Sequence, residues 1–245
     1  MQRLTFKGYH SQGSFVPVRT FYRIVKIGLT MKRSILAIVC LTFVLPATQL
    51  FAAGDAAAGK NKVMMCAGCH GVDGNSMVPA FPKLAGLGEK YMTQQLRMVK
   101  SGERVILQMT GILNASSDQD LQDMAAFYDS QDRQISGAKE ITLIGITEPQ
   151  EALDFGENLY RGGNMKTGVA ACTGCHSPAG NGNGPAGYPA LGGQYADYIE
   201  KQLLAYRRGE RDSGSNALIM QGVAANLSDK EIKAVANYIS GLNWF

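Results

Sequence analysis

Cys66-Ala67-Gly68-Cys69-His70 recurs as Cys172-Thr173-Gly174-Cys175-His176, and what these two pentapeptides hold decides the fold. Cysteines three apart share one face of a helical turn. Both can therefore form thioethers with the two vinyl groups of a porphyrin, while the adjoining histidine meets the iron from one side. Two other uses of Cys-x-x-Cys fit less well. Paired zinc half-sites stand about 15–20 residues apart within one small module, whereas these motifs occupy separate halves of the chain. A thioredoxin-like redox pair expects a βαβ setting, and no such pattern surrounds either motif. The motifs predict two covalently bound haem c groups, attached through Cys66, Cys69, Cys172 and Cys175.

Around the motifs the chain repeats itself. Phe81-Pro82-Lys83-Leu84-Ala85-Gly86 matches Tyr188-Pro189-Ala190-Leu191-Gly192-Gly193, and Tyr91, Gln95 and Leu96 match Tyr198, Gln202 and Leu203. Gly102-Glu103-Arg104 matches Gly209-Glu210-Arg211 at the same offset, and Ser117-Asp118 matches Ser228-Asp229 at a slightly larger one. The change of offset places a small insertion near Asp212 to Asn216. The expected organisation is a first domain over 53–135, a linker over 136–150 and a second domain over 151–245. A domain of roughly 80–95 residues has a small core, and a buried porphyrin would add both apolar surface and a covalent staple.

The pattern is helical throughout, so the fold class is all-α. Asp55 to Met65 and Glu151 to Tyr160 predict the helix before each motif, and Glu89 to Lys100 and Ala196 to Arg208 show apolar residues at helical spacing with glycine following. Ser117-Asp118-Gln119-Asp120 and Ser228-Asp229-Lys230-Glu231 cap helices over Leu121–Ser130 and Ile232–Ser240, each with an acidic first turn. Gly71–Ala80 and Gly180–Gly187 are glycine-rich loops. Ile141-Thr142-Leu143-Ile144 has strand propensity but no partner strand in view, and is expected to strap across a domain surface as an extended linker.

Ahead of the first domain, Met31-Lys32-Arg33 opens a basic region, and Ile35 to Leu45 is almost wholly apolar before Pro46 and the small residues around Ala52-Ala53. This pattern is a secretory signal peptide, cleaved after Ala52 or a residue away, since Leu50 at the third position before the cut is large. The apolar run falls short of the about 20 residues a membrane span needs, with an uncleaved anchor as the alternative. Residues 1–30 then lie upstream of a start at Met31, or else belong to a long signal region.

Of the 24 lysines and arginines, seven precede Ala53 and none of the 20 acids does, leaving 17 basic residues and a net charge of −3. A nucleic-acid surface needs clustered basic residues, and none remains. Cys40 leaves with the leader, and the other four cysteines all belong to the motifs. No thiol is left for a disulfide or a catalytic nucleophile.

His70 and His176 are the proximal ligands, and the one remaining histidine, His10, lies in the leader. Bis-histidine ligation is therefore excluded in the mature chain. Met220 is the single methionine after His176, whereas Met77, Met92, Met98, Met109 and Met124 all follow His70. The repeat chooses among them: Met220-Gln221-Gly222 and Met109-Thr110-Gly111 each begin nine residues before the matching aspartates, Asp229 and Asp118. Met109 and Met220 are the expected sixth ligands. Arg104 and Arg211 fit propionate binding or an exposed helix end equally well. Tyr91 and Tyr198 are expected to pack helices rather than relay electrons, and Asp118 and Asp229 to act as caps alone.

The paired CxxCH motifs, PxLxG segments, Met-x-Gly segments and terminal helices with Ala-x-Tyr make the chain, from about Gly54 to Phe245, resemble cytochrome c4, the dihaem class I cytochromes c. The resemblance implies two tandem class I cytochrome c domains, each wrapped around a covalently attached haem with His/Met ligation. It further implies that the Pro82 and Pro189 carbonyls accept from Nδ1–H of His70 and His176, and that Leu84 and Leu191 pack on the haems. The chain departs from the pattern in a lengthened segment over Arg161 to Ala171 and a long linker.

With both axial positions filled, the iron has no open site for oxygen, peroxide or substrate, which favours an electron carrier over a haem enzyme or gas sensor. The resemblance implies a periplasmic electron-transfer protein, not an enzyme, with a quinol-oxidising membrane complex as donor and a haem–copper terminal oxidase as acceptor. Peripheral membrane association stays open. The alternative is the haem subunit of a dehydrogenase, for example a flavocytochrome sulfide dehydrogenase.

Overall fold

A computed structural model describes residues 53–243. The leader, the start at Met31 and cleavage after Ala52 lie outside the described residues. Within these the chain is helical, with isolated bridges and no strand.

The first lobe begins with α1 (Ala56–Lys62), capped by Asp55, whose side chain accepts from the N–H groups of Ala57 and Ala58. The single helix expected over Asp55–Met65 is instead two. Val63, buried in the core, leaves helical geometry at φ −93° and ψ 6°, and α2 (Met64–His70) starts on a new axis carrying the whole first motif. Next come α3 (Glu89–Ser101), stopped by Gly102 in the left-handed region, a 3₁₀ turn at Leu107–Met109, and α4 (Asp118–Asp129).

The second lobe repeats the order as α5 (Pro149–Gly162), α6 (Thr173–His176), α7 (Ala196–Arg207), α8 (Ala217–Ala225) and α9 (Asp229–Gly241). Helix α8, which carries Met220, was not foreseen. Its stretch is almost entirely apolar and shows no polar face, and the matching part of the first lobe stops at one 3₁₀ turn, followed by Gly111 at φ 83°.

In each lobe the first and last helices cross at backbone distance. A Cβ on Gly59 would stand 2.0 Å from the Asp123 carbonyl oxygen, and one on Gly156 would stand 2.4 Å from that of Ala234. Only glycine fits such a crossing. The first core gathers Val63, Met92, Leu121, Met124, Phe127 and Tyr128, and the second gathers Leu159, Tyr160, Ile199, Ile232, Val235 and Ile239. The chain between the lobes runs over the second one. Gly137 N–H donates to the Ser240 carbonyl at 2.9 Å, Asn237 Oδ1 accepts from Lys139 N–H at 2.9 Å, and Leu143 and Ile146 close a turn on each other. Leu143 then packs on Ala152 and Ala234.

Candidate haem sites

The first motif lies wholly within α2, whereas the second occupies a single turn, with Cys172 as the residue before α6 and His176 N–H donating to the Cys172 carbonyl at 2.9 Å. The lengthened segment before it forms a loop closed by mutual bonds between Asn164 and Val169, and Asn164 Nδ2 ties the loop to Glu231 at 2.8 Å. Each motif thus presents two thiols and an imidazole to one side. None of the four cysteines forms a disulfide. Burial pushes the Cys66 thiol up and that of Cys172 up to about 11, so neither is a reactive thiolate at neutral pH.

Both imidazoles are buried and oriented alike. His70 Nδ1 lies 2.9 Å from the Pro82 carbonyl and His176 Nδ1 2.8 Å from that of Pro189, which assigns the proton to Nδ1 and leaves Nε2 as a lone-pair donor. Burial holds both histidines below their ordinary pKa, with the proline carbonyls opposing, so both are neutral near pH 7. The residue after each histidine has positive φ: Gly71 at 83° and Ser177 at 68°. Ser177, at ψ 159°, occupies backbone space that only glycine visits freely. Its carbonyl accepts from the Tyr160 hydroxyl at 2.7 Å.

One continuous cavity of about 1280 Å³ serves both motifs. That exceeds the roughly 300–1,000 Å³ of a single small-molecule site. Cys66, Cys69, His70, Leu84 and Met109 line its first-lobe end, and Cys172, Cys175, His176, Leu191 and Met220 its second-lobe end. Leu84 and Met109 lean on the first core and Leu191 and Met220 on the second. Among the other methionines after His70, Met77 is exposed on the surface and Met98 packs beneath Gly214. Met92 and Met124 reach the cavity wall as core residues, so the choice of Met109 rests on its register with Met220.

The residues present fit haem at a further point. Arg104 and Arg211 line the cavity, and no carboxylate among the described residues pairs with either. Arg211 is buried and donates to Tyr91 Oη at 2.7 Å, Gln202 Oε1 at 2.7 Å and Gln95 Oε1 at 3.2 Å. Arg104 mirrors it, donating to Gln95 Oε1 at 2.6 Å and to Tyr198 Oη and Gln202 Oε1 at 3.4 Å. Two guanidiniums satisfied only by neutral groups on a cavity wall suit the carboxylates of haem propionates. The Tyr128 hydroxyl is buried beside Cys66 and lines the same cavity.

This network narrows one open expectation and adds to another. Arg211 is no exposed helix end, and Tyr91 and Tyr198 are hydrogen-bond acceptors across the lobe interface as well as packing residues. Their recurrence in the repeat was the available signal, but a repeat shows equivalence and not contact. Asp118 and Asp229 are not the caps that were expected. Ser117 and Ser228 make the capping boxes, with Asp120 and Glu231, while Asp118 pairs with Arg97 and Asp229 with Arg207, both at 2.5 Å.

The family model for cytochrome c matches residues 56–133 and 164–243. Cytochrome c4 of Azotobacter vinelandii is 47% identical over 217 residues, covering 84% of this chain and 99% of that protein. The crystal structure of reduced recombinant cytochrome c4 from Pseudomonas stutzeri superposes with a TM-score of 0.72 at 48% identity, covering 78% of this chain and 100% of that one. The thiosulfate dehydrogenase electron acceptor of Stutzerimonas stutzeri is 37% identical over 180 residues, 73% of this chain and 79% of that protein.

Proposed function

Because this chain belongs to the cytochrome c family, in its cytochrome c4 group, we propose that it is a periplasmic carrier of single electrons. It is an electron-transfer protein rather than an enzyme, with two tandem cytochrome c domains and two covalently bound haem c groups. We take the donor to be a quinol-oxidising membrane complex and the acceptor a haem–copper terminal oxidase.

The observation that carries this reading is the pairing, at each end of one cavity, of a buried histidine with a half-buried methionine. His70 and Met109 would hold the two axial positions in the first lobe, and His176 and Met220 those in the second. Cys66, Cys69, Cys172 and Cys175 would be the thioether anchors. When bound, each haem supplies a one-electron ferric–ferrous couple, set higher by a methionine ligand than by a second histidine. The Pro82 and Pro189 carbonyls orient the imidazoles, Leu84 and Leu191 exclude water, and Arg104 and Arg211 hold negative charge at the lobe interface.

Adding oxidase-containing membranes and oxygen to the ferrous protein should give cyanide-sensitive reoxidation, and a redox titration should resolve two one-electron couples. Ready carbon monoxide binding by the native ferrous protein would sink the carrier reading. So would absence of the ferric methionine–iron charge-transfer band from both haems.

A second reading draws on the relative named as a thiosulfate dehydrogenase electron acceptor: this chain takes electrons from a dehydrogenase. Faster reduction by thiosulfate with thiosulfate dehydrogenase than by the quinol-oxidising complex would favour it. Co-purification of a flavoprotein would point to the flavocytochrome sulfide dehydrogenase form.

A further inference from the structure

Pro82 and Pro189 are equivalent in the repeat, yet the segments that carry them are held differently. Lys83, directly after Pro82, donates its N–H to Gln194 Oε1 at 3.0 Å, and Gln194 Nε2 donates to the Lys83 carbonyl at 2.9 Å. One side chain of the second lobe thus makes both bonds that a neighbouring strand would make. Gln194 is 3% exposed, and its Oε1 also accepts from Tyr195 N–H at 3.0 Å, which fixes the amide in place. On the far side Leu84 N–H donates to the Gly74 carbonyl at 2.7 Å. In the repeat Gln194 corresponds to Leu87, whose backbone carbonyl accepts from Ala190 N–H at 3.2 Å. Each lobe therefore grips the residue after the other's proline, one way with a replaceable side chain and the other with backbone.

We propose that Gln194 is a positioning residue for the first haem: by clamping Lys83 it sets the Pro82 carbonyl against His70 Nδ1, so a second-lobe side chain tunes the first-lobe couple. This rests on His70 and Met109 being the axial pair. A firm Nδ1–H bond raises the basicity of the imidazole, and a more basic ligand favours ferric iron. Loosening the clamp should therefore raise the first potential and leave the second alone.

The test is a redox titration of the holoprotein carrying Gln194→Leu, with the His70 Nδ1–H exchange rate followed by NMR. Expected are a ferrous-to-ferric ratio for the first couple raised about threefold at a fixed potential, equal to about 28 mV at 59 mV per tenfold, an unmoved second couple and faster exchange. Gln194→Asn, whose shorter amide cannot span both Lys83 groups, serves if the leucine variant does not mature. Lys83→Met keeps the backbone bonds and removes a cation, so it should lower the first couple. A Gln194 variant that lowers thermal stability while both couples and the exchange rate stay put overturns the clamp, as does a Lys83→Met variant that raises the first couple equally. Met109→His is run alongside: if it moves neither couple, the axial assignment falls and the clamp with it.

Discussion

Met109 and Met220 each stake a whole function on one sulfur. Replacing either by histidine should lower one couple and leave the other nearly unchanged, because imidazole favours ferric iron more than a thioether does. A redox titration in which Met109→His moves neither couple would transfer the role to Met92 or Met124, the other first-lobe methionines on the cavity wall. Ser177 offers a test of strain beside a ligand. The residue after His70 is Gly71, and the equivalent serine carries φ 68° and ψ 159°. Ser177→Gly should raise stability by about 1 kcal/mol, read as an upward shift of the thermal transition with unaltered visible spectra. The anchors and both histidines were legible in the sequence because covalent attachment demands adjacency along the chain. The strain at Ser177 was not, since no glycine marks the position; its φ of 68° follows that of Gly71 in the repeat, and its carbonyl is held by the Tyr160 hydroxyl from 17 residues away.

Among the elements, terminal helix crossings and capping boxes carry the architecture. Gly59→Ala pushes a methyl into the Asp123 carbonyl and should destabilise the first lobe by about 1–3 kcal/mol. Gly156→Ala should do the same in the second lobe, each seen as a lower denaturation midpoint. The start of α4 also gives the first lobe a definite acid response. Asp118 is held below the usual carboxylate range by Arg97, and Asp120 by Lys62 and Ser117. Asp123 is raised by its burial but brought lower still by Lys62, the Asp55 N–H and Gln119. A carboxylate with a depressed folded-state pKa stabilises the fold above its unfolded pKa, near 3.9, and that stabilisation fades as pH falls through and below this value. Thermal melts should therefore be flat through neutral pH and drop below about pH 4, and Asp120→Asn should blunt the drop. Helix existence followed from periodicity and caps, whereas the break at Val63 and helix α8 did not. Val63 bends where the motif must turn toward the cavity, and α8 lacks the polar face by which an amphipathic helix announces itself.

Across the whole molecule the two lobes share one cavity and a six-residue network that joins them. The repeat made the tandem arrangement legible, but the interface depends on which equivalent surfaces meet, and no periodicity records that. Arg104 and Arg211 each bond a glutamine of their own lobe and a tyrosine and a glutamine of the other, so the cations belong to the assembly and not to either half. A buried positive charge opposes oxidation of the iron nearby, because the ferric state adds a further positive charge in a medium of low dielectric. Arg211→Met should accordingly lower both couples, unlike the axial methionine variants, which move one each. It also removes the donor to the Tyr91 hydroxyl, a cost of about 1–3 kcal/mol, while the Gln95 and Gln202 amide oxygens keep Arg104. Calorimetry should then show the cooperative unfolding of the two lobes splitting toward two transitions. Lowered potentials with unfolding still in one transition would mean that the arginines serve the haem edges alone, and that the lobes are held together by the bonds of Gln194 to Lys83 and of Ala190 to Leu87.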